Sequence, residues 1–186
     1  MEENRTDEDL MLAYREGDTA AFAALFRRRK GRLYRYLLRQ CGDAGIAGRL
    51  FEDTWLRIIR AHRRYQSQAQ FIPYLYRLAH HVLMDHYRHR AAGVPLSYQQ
   101  EAQAMLEPIP AVAQADLQTA SRQQLERLLQ LLAALPEAQR EVFLLREEAG
   151  LGLDQIARAT NAKPDTVRNR LRQALQFLGR GMRGGE

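Results

Sequence analysis

A stretch of 28 residues without lysine or arginine, residues 93–120, divides this chain of 186 residues into two flanks. It holds three of the six prolines and three acidic residues, and it has no sustained apolar period. Residues 1–92 carry 17 basic and 11 acidic side chains, and residues 121–186 carry 11 and 8. This change in composition indicates a linker between two basic domains. Fully extended, the linker spans about 95 Å, so the domains can contact distant parts of one large partner.

Both flanks have the apolar spacing of α-helices, and neither has the alternating pattern of a strand. In the first flank Thr6 followed by Asp9 is typical of a capping box, Gly42 and Gly45 interrupt the helical pattern, and a later helix is expected over 71–89. We therefore predict an all-α fold of two small helical domains joined by a flexible linker. The helices predicted in the second flank cover 121–135, 136–149, 153–160 and 164–178.

The charge of the chain favours a polyanionic partner. The net charge is +6 and the pI is about 9.8. All basic residues except Lys30 and Lys163 are arginine, whose planar guanidinium suits phosphate oxygens and guanine edges. A GC-rich genome also favours arginine codons over lysine codons. That explains the ratio of arginine to lysine but not the positive net charge.

The sequence also limits the compartment and the redox chemistry of the protein. The acidic N-terminus, MEENRTDEDL, lacks the basic start and apolar stretch of a signal peptide, and no apolar run is long enough to span a bilayer. We therefore expect a cytoplasmic protein without membrane insertion. The single cysteine, Cys41, excludes an intramolecular disulfide and any zinc site with several cysteines.

The segment 151–178 has the features of a helix-turn-helix. Asn161 is suited to a left-handed residue in the turn, and Pro164 is suited to the first position of the next helix. An apolar stripe predicts the buried side of that helix, and the opposite side carries the residue types that read guanine and adenine edges. The alternative is an ordinary helical hairpin with a solvated basic face. The polar side consists of Arg168, Asn169, Arg172 and Gln173.

Several motifs in order resemble the extracytoplasmic-function (ECF) sigma factors of bacterial RNA polymerase. LPEAQREVFLLREEAGLGLDQIA followed by DTVRNRLRQAL is similar to their region 4. DEDLMLAYREGDTAAFAALFRRRKGRLYRYL is similar to the start of region 2, RLFEDTWLRI to its polymerase-binding helix, and FIPYLYRLAHHVLMDHYRHR to its promoter-opening segment. The resemblance implies region 2 in residues 1–92, a linker over 93–120 and region 4 in residues 121–186. It also implies a sigma factor that binds core RNA polymerase and promoter DNA.

The resemblance further implies two sets of contacts. In the polymerase-binding helix, two apolar residues and two acidic residues would dock the clamp helices of the largest subunit. Gly48 and Arg49 stand where the family usually has acidic residues. The implied polymerase-binding residues are Leu50, Glu52, Asp53 and Trp55. The residues implied to bind the −35 element, here called the −35 face, are Lys163, Thr166, Arg168, Asn169, Arg172 and Gln173.

Promoter opening needs a surface that captures unstacked bases, because melting the duplex costs stacking energy. Aromatic rings stack on such bases and cations hold the backbone. Tyr74 and His81 stand where the family commonly has Trp and Asn, and Tyr74 is equally compatible with a plain core position. The residues implied to bind the −10 element, here called the −10 set, are Tyr65, Gln66, Ser67, Gln68, Tyr74, Arg77, His80, His81 and Arg88.

No catalytic motif accompanies these features. There is no phosphate-binding glycine loop, no GxSxG and no HExxH, so we expect a non-enzymatic protein without a cofactor. His86 and His89 have the spacing of a metal pair on a helix, but solvated or DNA-facing histidines fit as well, and no metal site is predicted. Two alternatives remain: a dimeric repressor or activator with the same helix-turn-helix, and an enzyme acting on nucleic acid. The family resemblance also implies an inhibitory anti-sigma partner.

Overall fold

The computed structural model describes residues 4–93 and 119–184, and within these residues all regular structure is helical. The all-α fold class is therefore confirmed. Apart from Gly93, Thr119 and Ala120, the predicted linker lies outside the described residues. A 3₁₀ turn, His62–Arg64, follows the third helix. The helices are α1 (Asp7–Arg15), α2 (Thr19–Cys41), α3 (Ala44–Ala61), α4 (Phe71–Ala92), α5 (Thr119–Ala134), α6 (Glu137–Glu147), α7 (Leu153–Thr160) and α8 (Pro164–Arg183).

Local capping signals set the first helix boundaries. The Thr6 hydroxyl accepts a hydrogen bond from the Asp9 backbone N–H and the Asp9 carboxylate accepts one from the Thr6 N–H, so the predicted capping box is confirmed. Gly42 ends α2 with a left-handed φ of 71°. Gly45 was expected to interrupt the pattern as well, but it lies inside α3. The reason is that Asp43 caps α3 by accepting from the Ile46 N–H at 2.8 Å, which starts the helix before the glycine.

The N-terminal half, α1 to α4, is built on an aromatic interior. Trp55 is fully buried in α3, and the rings of Phe22 and Phe26 meet it edge-on with centroids 5.8 and 5.0 Å away. Phe51 packs edge-on against Phe26 at 5.9 Å. Edge-to-face contacts of this kind add about 0.5–1.5 kcal/mol beyond the buried area. This interior holds α2 and α3 together.

The C-terminal half packs α8 against α5, α6 and α7. Gly181 lies so close to Leu131 of α5 that a side chain at this position would overlap it. The α8 helix was predicted to end at 178 but continues to Arg183. Gly179 and Gly181 lie inside the helix and do not end it. Glycine has a low helix propensity, but packing of α8 on α5 at Gly181 stabilises this last part of the helix.

The two halves touch each other along one extended contact. Helix α2 packs on α5 and α6, and α4 packs on α7. The buried side chains of both halves form a single connected cluster. In residues 4–93 and 119–184 no helix combines the length and the apolar character that a bilayer crossing requires.

Candidate nucleic-acid interface

Helices α7 and α8 form the predicted helix-turn-helix. The Gln155 side chain accepts a hydrogen bond from the Gly152 N–H at 2.8 Å, which fixes the start of α7. Asn161 ends α7 with a left-handed φ of 51°, a conformation that asparagine adopts more easily than most residues. Pro164 occupies the first turn of α8, where its missing N–H costs no hydrogen bond. These local signals set the direction in which α8 leaves the turn.

The −35 face lies on the solvent side of α8 and its preceding turn. Val167, Ala174 and Leu178 form the buried side of the helix. Thr166 is partly buried, because it borders that buried side. The other members of the −35 face are exposed: Lys163, Arg168, Asn169, Arg172 and Gln173.

Weak local bonds orient two arginines of this face. Arg168 donates to the Asp165 carboxylate at 2.8 Å, and Arg172 donates to the Asn169 amide oxygen. The side chains of Arg168 and Asp165 are 63% and 93% exposed. Because water competes for such pairs, they contribute at most about 1 kcal/mol. Both guanidinium groups are therefore able to exchange these partners for phosphate or guanine oxygens.

The −10 set is divided between three environments. Tyr65 and His80 are buried, and Tyr74 is partly buried. The remaining members are exposed: Gln66, Ser67, Gln68, Arg77, His81 and Arg88. The structure thus brings only part of the set to the surface.

Tyr65 closes the loop between the 3₁₀ turn and α4. Its hydroxyl donates to the Ala69 carbonyl, and its ring packs edge-on against Phe71 with centroids 6.4 Å apart. Burial raises the pKa of Tyr65 well above its ordinary value, so the phenol stays a donor. The ring is 3% exposed and is not accessible to a nucleotide in this arrangement.

Tyr74 lies at the edge of a cleft between the two halves. Its ring packs against Tyr65 at 5.3 Å, and the Arg77 guanidinium lies 5.8 Å from its centroid. The cleft has a volume of about 490 Å³, and Gln155 and Arg158 of α7 line its opposite wall. A half-buried ring beside a cation remains compatible with both predicted roles, core packing and base stacking.

The predicted polymerase-binding residues separate into an interior pair and an outer pair. Leu50 is 3% exposed and Trp55 is fully buried, so both belong to the packed interior of the N-terminal half. Glu52 and Asp53 are partly exposed on the outer side of α3. The Asp53 carboxylate lies 3.6 Å from Arg57, whose closer partner is Asp85 at 2.7 Å, so a partner's cation can replace Arg57 at Asp53 at little cost.

The histidines and the cysteine do not form a metal site in the part of the chain that the structure describes. His86 is buried and His89 is exposed, so the two rings lie in different environments. No group of three or more His, Cys, Asp or Glu residues among the described ones is placed to hold a metal ion. Burial raises the pKa of the Cys41 thiol, which donates to the Leu37 carbonyl at 3.1 Å.

Sequence reasoning missed a buried polar group that joins the two halves. The Glu141 carboxylate of α6 accepts hydrogen bonds from the Tyr36 hydroxyl at 3.0 Å and from His80 Nδ1 at 2.6 Å. The signal available in the sequence was the position of Glu141 four residues before Leu145, on the apolar side of α6. A charged residue at such a position needs a partner from elsewhere in the fold.

Two family models match the chain, one in each half. The family described as "Sigma-70 region 2" matches residues 25–92, and "Sigma-70, region 4" matches residues 125–178. Together they cover about two thirds of the chain.

Full-length relatives and solved structures agree with these matches. "ECF RNA polymerase sigma factor SigK" of Mycobacterium sp. (strain JLS) is 27% identical over 93% of this chain and 89% of its own. The SigK of Mycobacterium bovis (strain BCG / Pasteur 1173P2) is 29% identical over 87% and 85%. The structure of CnrH in complex with the cytosolic domain of CnrY has a TM-score of 0.70 at 18% identity, covering 97% of this chain and 99% of that one. The sigma factor RpoE in complex with the anti-sigma factor NepR from Bartonella quintana has a TM-score of 0.69 at 16% identity, covering 89% and 98%. At these identities the structural similarity shows a shared fold.

Proposed function

The chain belongs to the ECF sigma factors of the sigma-70 family, non-enzymatic proteins of promoter-directed transcription initiation, and we propose that it recognises −35 and −10 elements and promotes DNA opening. In this proposal residues 121–186 bind the −35 element, and residues 1–92 bind core RNA polymerase and the −10 element. Residues 93–120 connect them. The protein acts in the cytoplasm, where the polymerase transcribes.

The observation that carries the proposal is the exposed −35 face on α8. Arginine pairs with guanine O6 and N7, and asparagine and glutamine pair with the adenine edge. These side chains project from a helix that begins at a tight turn, which is how a recognition helix enters the major groove. Lys163 lies before the first turn of α8, where it can bind a phosphate.

The proposed polymerase contact uses the acidic outer side of α3. Glu52 and Asp53 are accessible and can pair with arginines of the clamp, while Leu50 and Trp55 support the helix from inside. The first of the two structural relatives above contains CnrY and the second contains an anti-sigma factor, NepR. By analogy with these complexes we propose that an anti-sigma protein binds and inhibits this chain.

Run-off transcription with core RNA polymerase and a promoter library tests the proposal. The wild-type protein is expected to start transcripts at promoters that core polymerase alone does not use. Arg172→Ala is expected to weaken binding to the −35 element by about 1–3 kcal/mol, because a bidentate base contact is lost. Arg180→Ala is the matched control, since it removes the same charge near the end of α8 and outside the −35 face.

Unchanged promoter choice by Arg172→Ala would contradict the assignment of the −35 face. Transcripts from no promoter, together with tight binding of a palindromic duplex without polymerase, would instead favour a conventional repressor or activator.

A further inference from the structure

The segment 65–70, here called the −10 loop, connects the 3₁₀ turn to α4 and lies between two buried aromatic rings. Tyr65 at its start is 3% exposed, and Phe71 directly after it is fully buried. A loop that selects an unstacked base needs a defined shape, because ordering it on binding would cost affinity. The exposed residues between the two rings are the −10 set members Gln66, Ser67 and Gln68.

Two hydrogen bonds within the −10 loop bring its ends together. The Ala69 N–H donates to the Gln66 carbonyl at 3.0 Å, which closes a turn. The Tyr65 hydroxyl donates to the Ala69 carbonyl across the same loop. Both bonds connect loop residues to each other. The direction in which the turn points therefore depends on contacts with the rest of the protein.

Helix α1 bonds to the backbone at both ends of the −10 loop. The Arg15 guanidinium donates through Nη1 to the Tyr65 carbonyl at 3.0 Å, and the Glu8 carboxylate accepts from the Phe71 N–H at 2.8 Å. Glu8 and Arg15 are seven residues apart, so they lie on one side of α1, about 10 Å apart along its axis. Each bond involves an ionised side chain and is stronger than a bond between neutral groups. One helix thus holds the loop at its first residue and at the residue that follows it.

The bond from Glu8 also completes the start of α4. Gln70, the N-cap residue, makes no capping bond with its side chain, and Pro73 has no N–H. The N–H of Phe71, the first helical residue, has no partner within its own helix. A carboxylate at this end of a helix is favoured by the helix dipole as well. Glu8 therefore fixes the first turn of α4, which leads directly to Tyr74.

Helix α1 can hold the loop because α1 itself is firmly docked on α2. Leu10 and Met11 are fully buried. The Asp7 carboxylate, also buried, accepts from Arg28 at 2.9 Å and from Arg29 at 2.5 Å. A helix of nine residues is not stable by itself, so these contacts determine where it lies.

We infer that Glu8 and Arg15 are positioning residues of the proposed −10 interface, which hold both ends of the −10 loop so that its exposed side chains meet an unstacked base in one fixed geometry. The inference rests on the proposed function, because the role of the loop in binding the −10 element comes from it. Neither residue belongs to the −10 set or to the polymerase-binding residues. Their loss should therefore change how strictly the loop selects a base and leave the −35 preference as it is.

Amide hydrogen exchange in the free full-length protein, followed by NMR, tests whether α1 holds the loop. Glu8→Ala removes the acceptor of the Phe71 N–H. The informative probe is the Ala69 amide, because its own bond, to Gln66, is not touched by the substitution. Loss of a hydrogen bond to a charged group shifts an equilibrium by about tenfold or more, so we expect the Ala69 amide to exchange about tenfold faster than in wild type. Glu8→Gln keeps an oxygen acceptor and should restore most of the protection.

Run-off transcription with core polymerase, on a promoter library randomised at the −10 positions, tests the consequence for recognition. In Glu8→Ala the ratio between the preferred base and the next is expected to fall about fivefold, the effect of one lost base contact. The −35 preference should change less than about twofold, and Glu8→Gln should restore the −10 ratio. A merely structural role would lower transcription from all promoters and leave the ratio unchanged.

Glu16→Ala is the matched control. It removes the same charge at the end of α1, where Glu16 is 72% exposed and pairs with Arg15 rather than with the loop. It is expected to behave like wild type in both measurements. Unchanged exchange of the Ala69 amide in Glu8→Ala, or an unchanged base ratio, would overturn the inference.

Arg15→Met decides the case if Glu8→Ala loses helical structure. It removes the donor to the Tyr65 carbonyl and keeps an apolar side chain of similar length. The same two changes are expected, and the absence of either would again overturn the inference.

The two measurements separate this inference from the proposed function. The exchange experiment contains no polymerase and no DNA, so the hold on the loop can fail there while the run-off assay still shows promoter recognition. A wild-type protein that selects no base at the −10 positions would contradict the proposed function instead, and the inference with it, even if α1 holds the loop.

Discussion

The interior of the N-terminal half and the contact between the two halves are both buried, but they are built from different chemistry. Around Trp55 the contacts are aromatic, and the buried Thr54 hydroxyl is satisfied within α3 by the Leu50 carbonyl at 2.7 Å. Between the halves the buried groups include a carboxylate and a guanidinium, Glu141 and Arg140. Water cannot replace the first kind of contact, but it can replace the second. Apolar contacts thus build the interior of a half, and the contact between the halves adds buried polar pairs to its apolar packing.

The largest expected effect is the loss of the aromatic interior. Trp55→Ala should destabilise the N-terminal half by about 3–5 kcal/mol, because it leaves a cavity at the centre of the packed rings. Chemical denaturation followed by circular dichroism measures the change. The matched control is Phe177→Ala, an aromatic residue that is 41% exposed, and a change within about 0.5 kcal/mol is expected there.

If Trp55→Ala lowered the free energy of unfolding as little as Phe177→Ala does, Trp55 would not be an interior residue. Weaker binding of core polymerase by a fully folded Trp55→Ala protein would restore its predicted role as a direct docking contact.

An intermediate effect is expected at the close approach of α8 to α5. Gly181→Ala should destabilise the C-terminal half by about 1–3 kcal/mol, because the new methyl group overlaps the Leu131 side chain, which must shift from its packed position. Gly179→Ala is the control on the same helix. A methyl group there meets only the Arg183 side chain, 3.7 Å away, and should stabilise the helix by about 0.5–1 kcal/mol. Thermal melts that rank the two variants in the opposite order would show that Gly181 is not needed for this packing.

The smallest expected effect concerns His86, a buried histidine of α4, and the dependence of stability on pH. Burial lowers the pKa of His86, helped by Arg90 and His89 on its own helix and opposed by Glu137 of α6. The folded protein thus protonates this ring less readily than the unfolded chain does, in which a histidine is protonated below about pH 6.5. The unfolded state then binds more protons, so the stability contributed here is complete above that pH and falls as the solution becomes more acidic.

His86→Leu should remove this loss together with the unpaired buried Nδ1. Between pH 7 and pH 5 the variant is expected to lose less stability than wild type. His89→Leu, an exposed control, should follow the wild-type curve. Parallel curves for wild type and His86→Leu in urea denaturation across this range would show that folding does not lower the pKa of His86.

Local features of the sequence were sufficient to predict the helix-turn-helix. Asn161 and Pro164 determine the backbone at their own positions, so their effects can be read without knowing the rest of the fold. Helix ends were less predictable, because packing decides how far a helix continues. The α4 helix, expected to end at 89, continues to Ala92, where the left-handed Gly93 ends it.

The buried contacts between distant residues could not be predicted in this way. Glu141 lies 105 residues from Tyr36 and 61 from His80, and neither periodicity nor charge counting relates such positions. The burial of Trp55 could not be predicted from the sequence pattern either. A large aromatic residue on an amphipathic helix suits a docking surface and an interior equally well, and only the packing of α1 to α4 places it inside.

The most direct test of the contact between the two halves is the distance between them. Spin labels at Ala20→Cys and Gln130→Cys, two exposed positions, in a Cys41→Ser background would report it by double electron–electron resonance. We predict one narrow, short distance in the free protein, because α2 packs on α5 and α6 and α4 packs on α7. A long distance or a broad distribution in the free protein would contradict this contact.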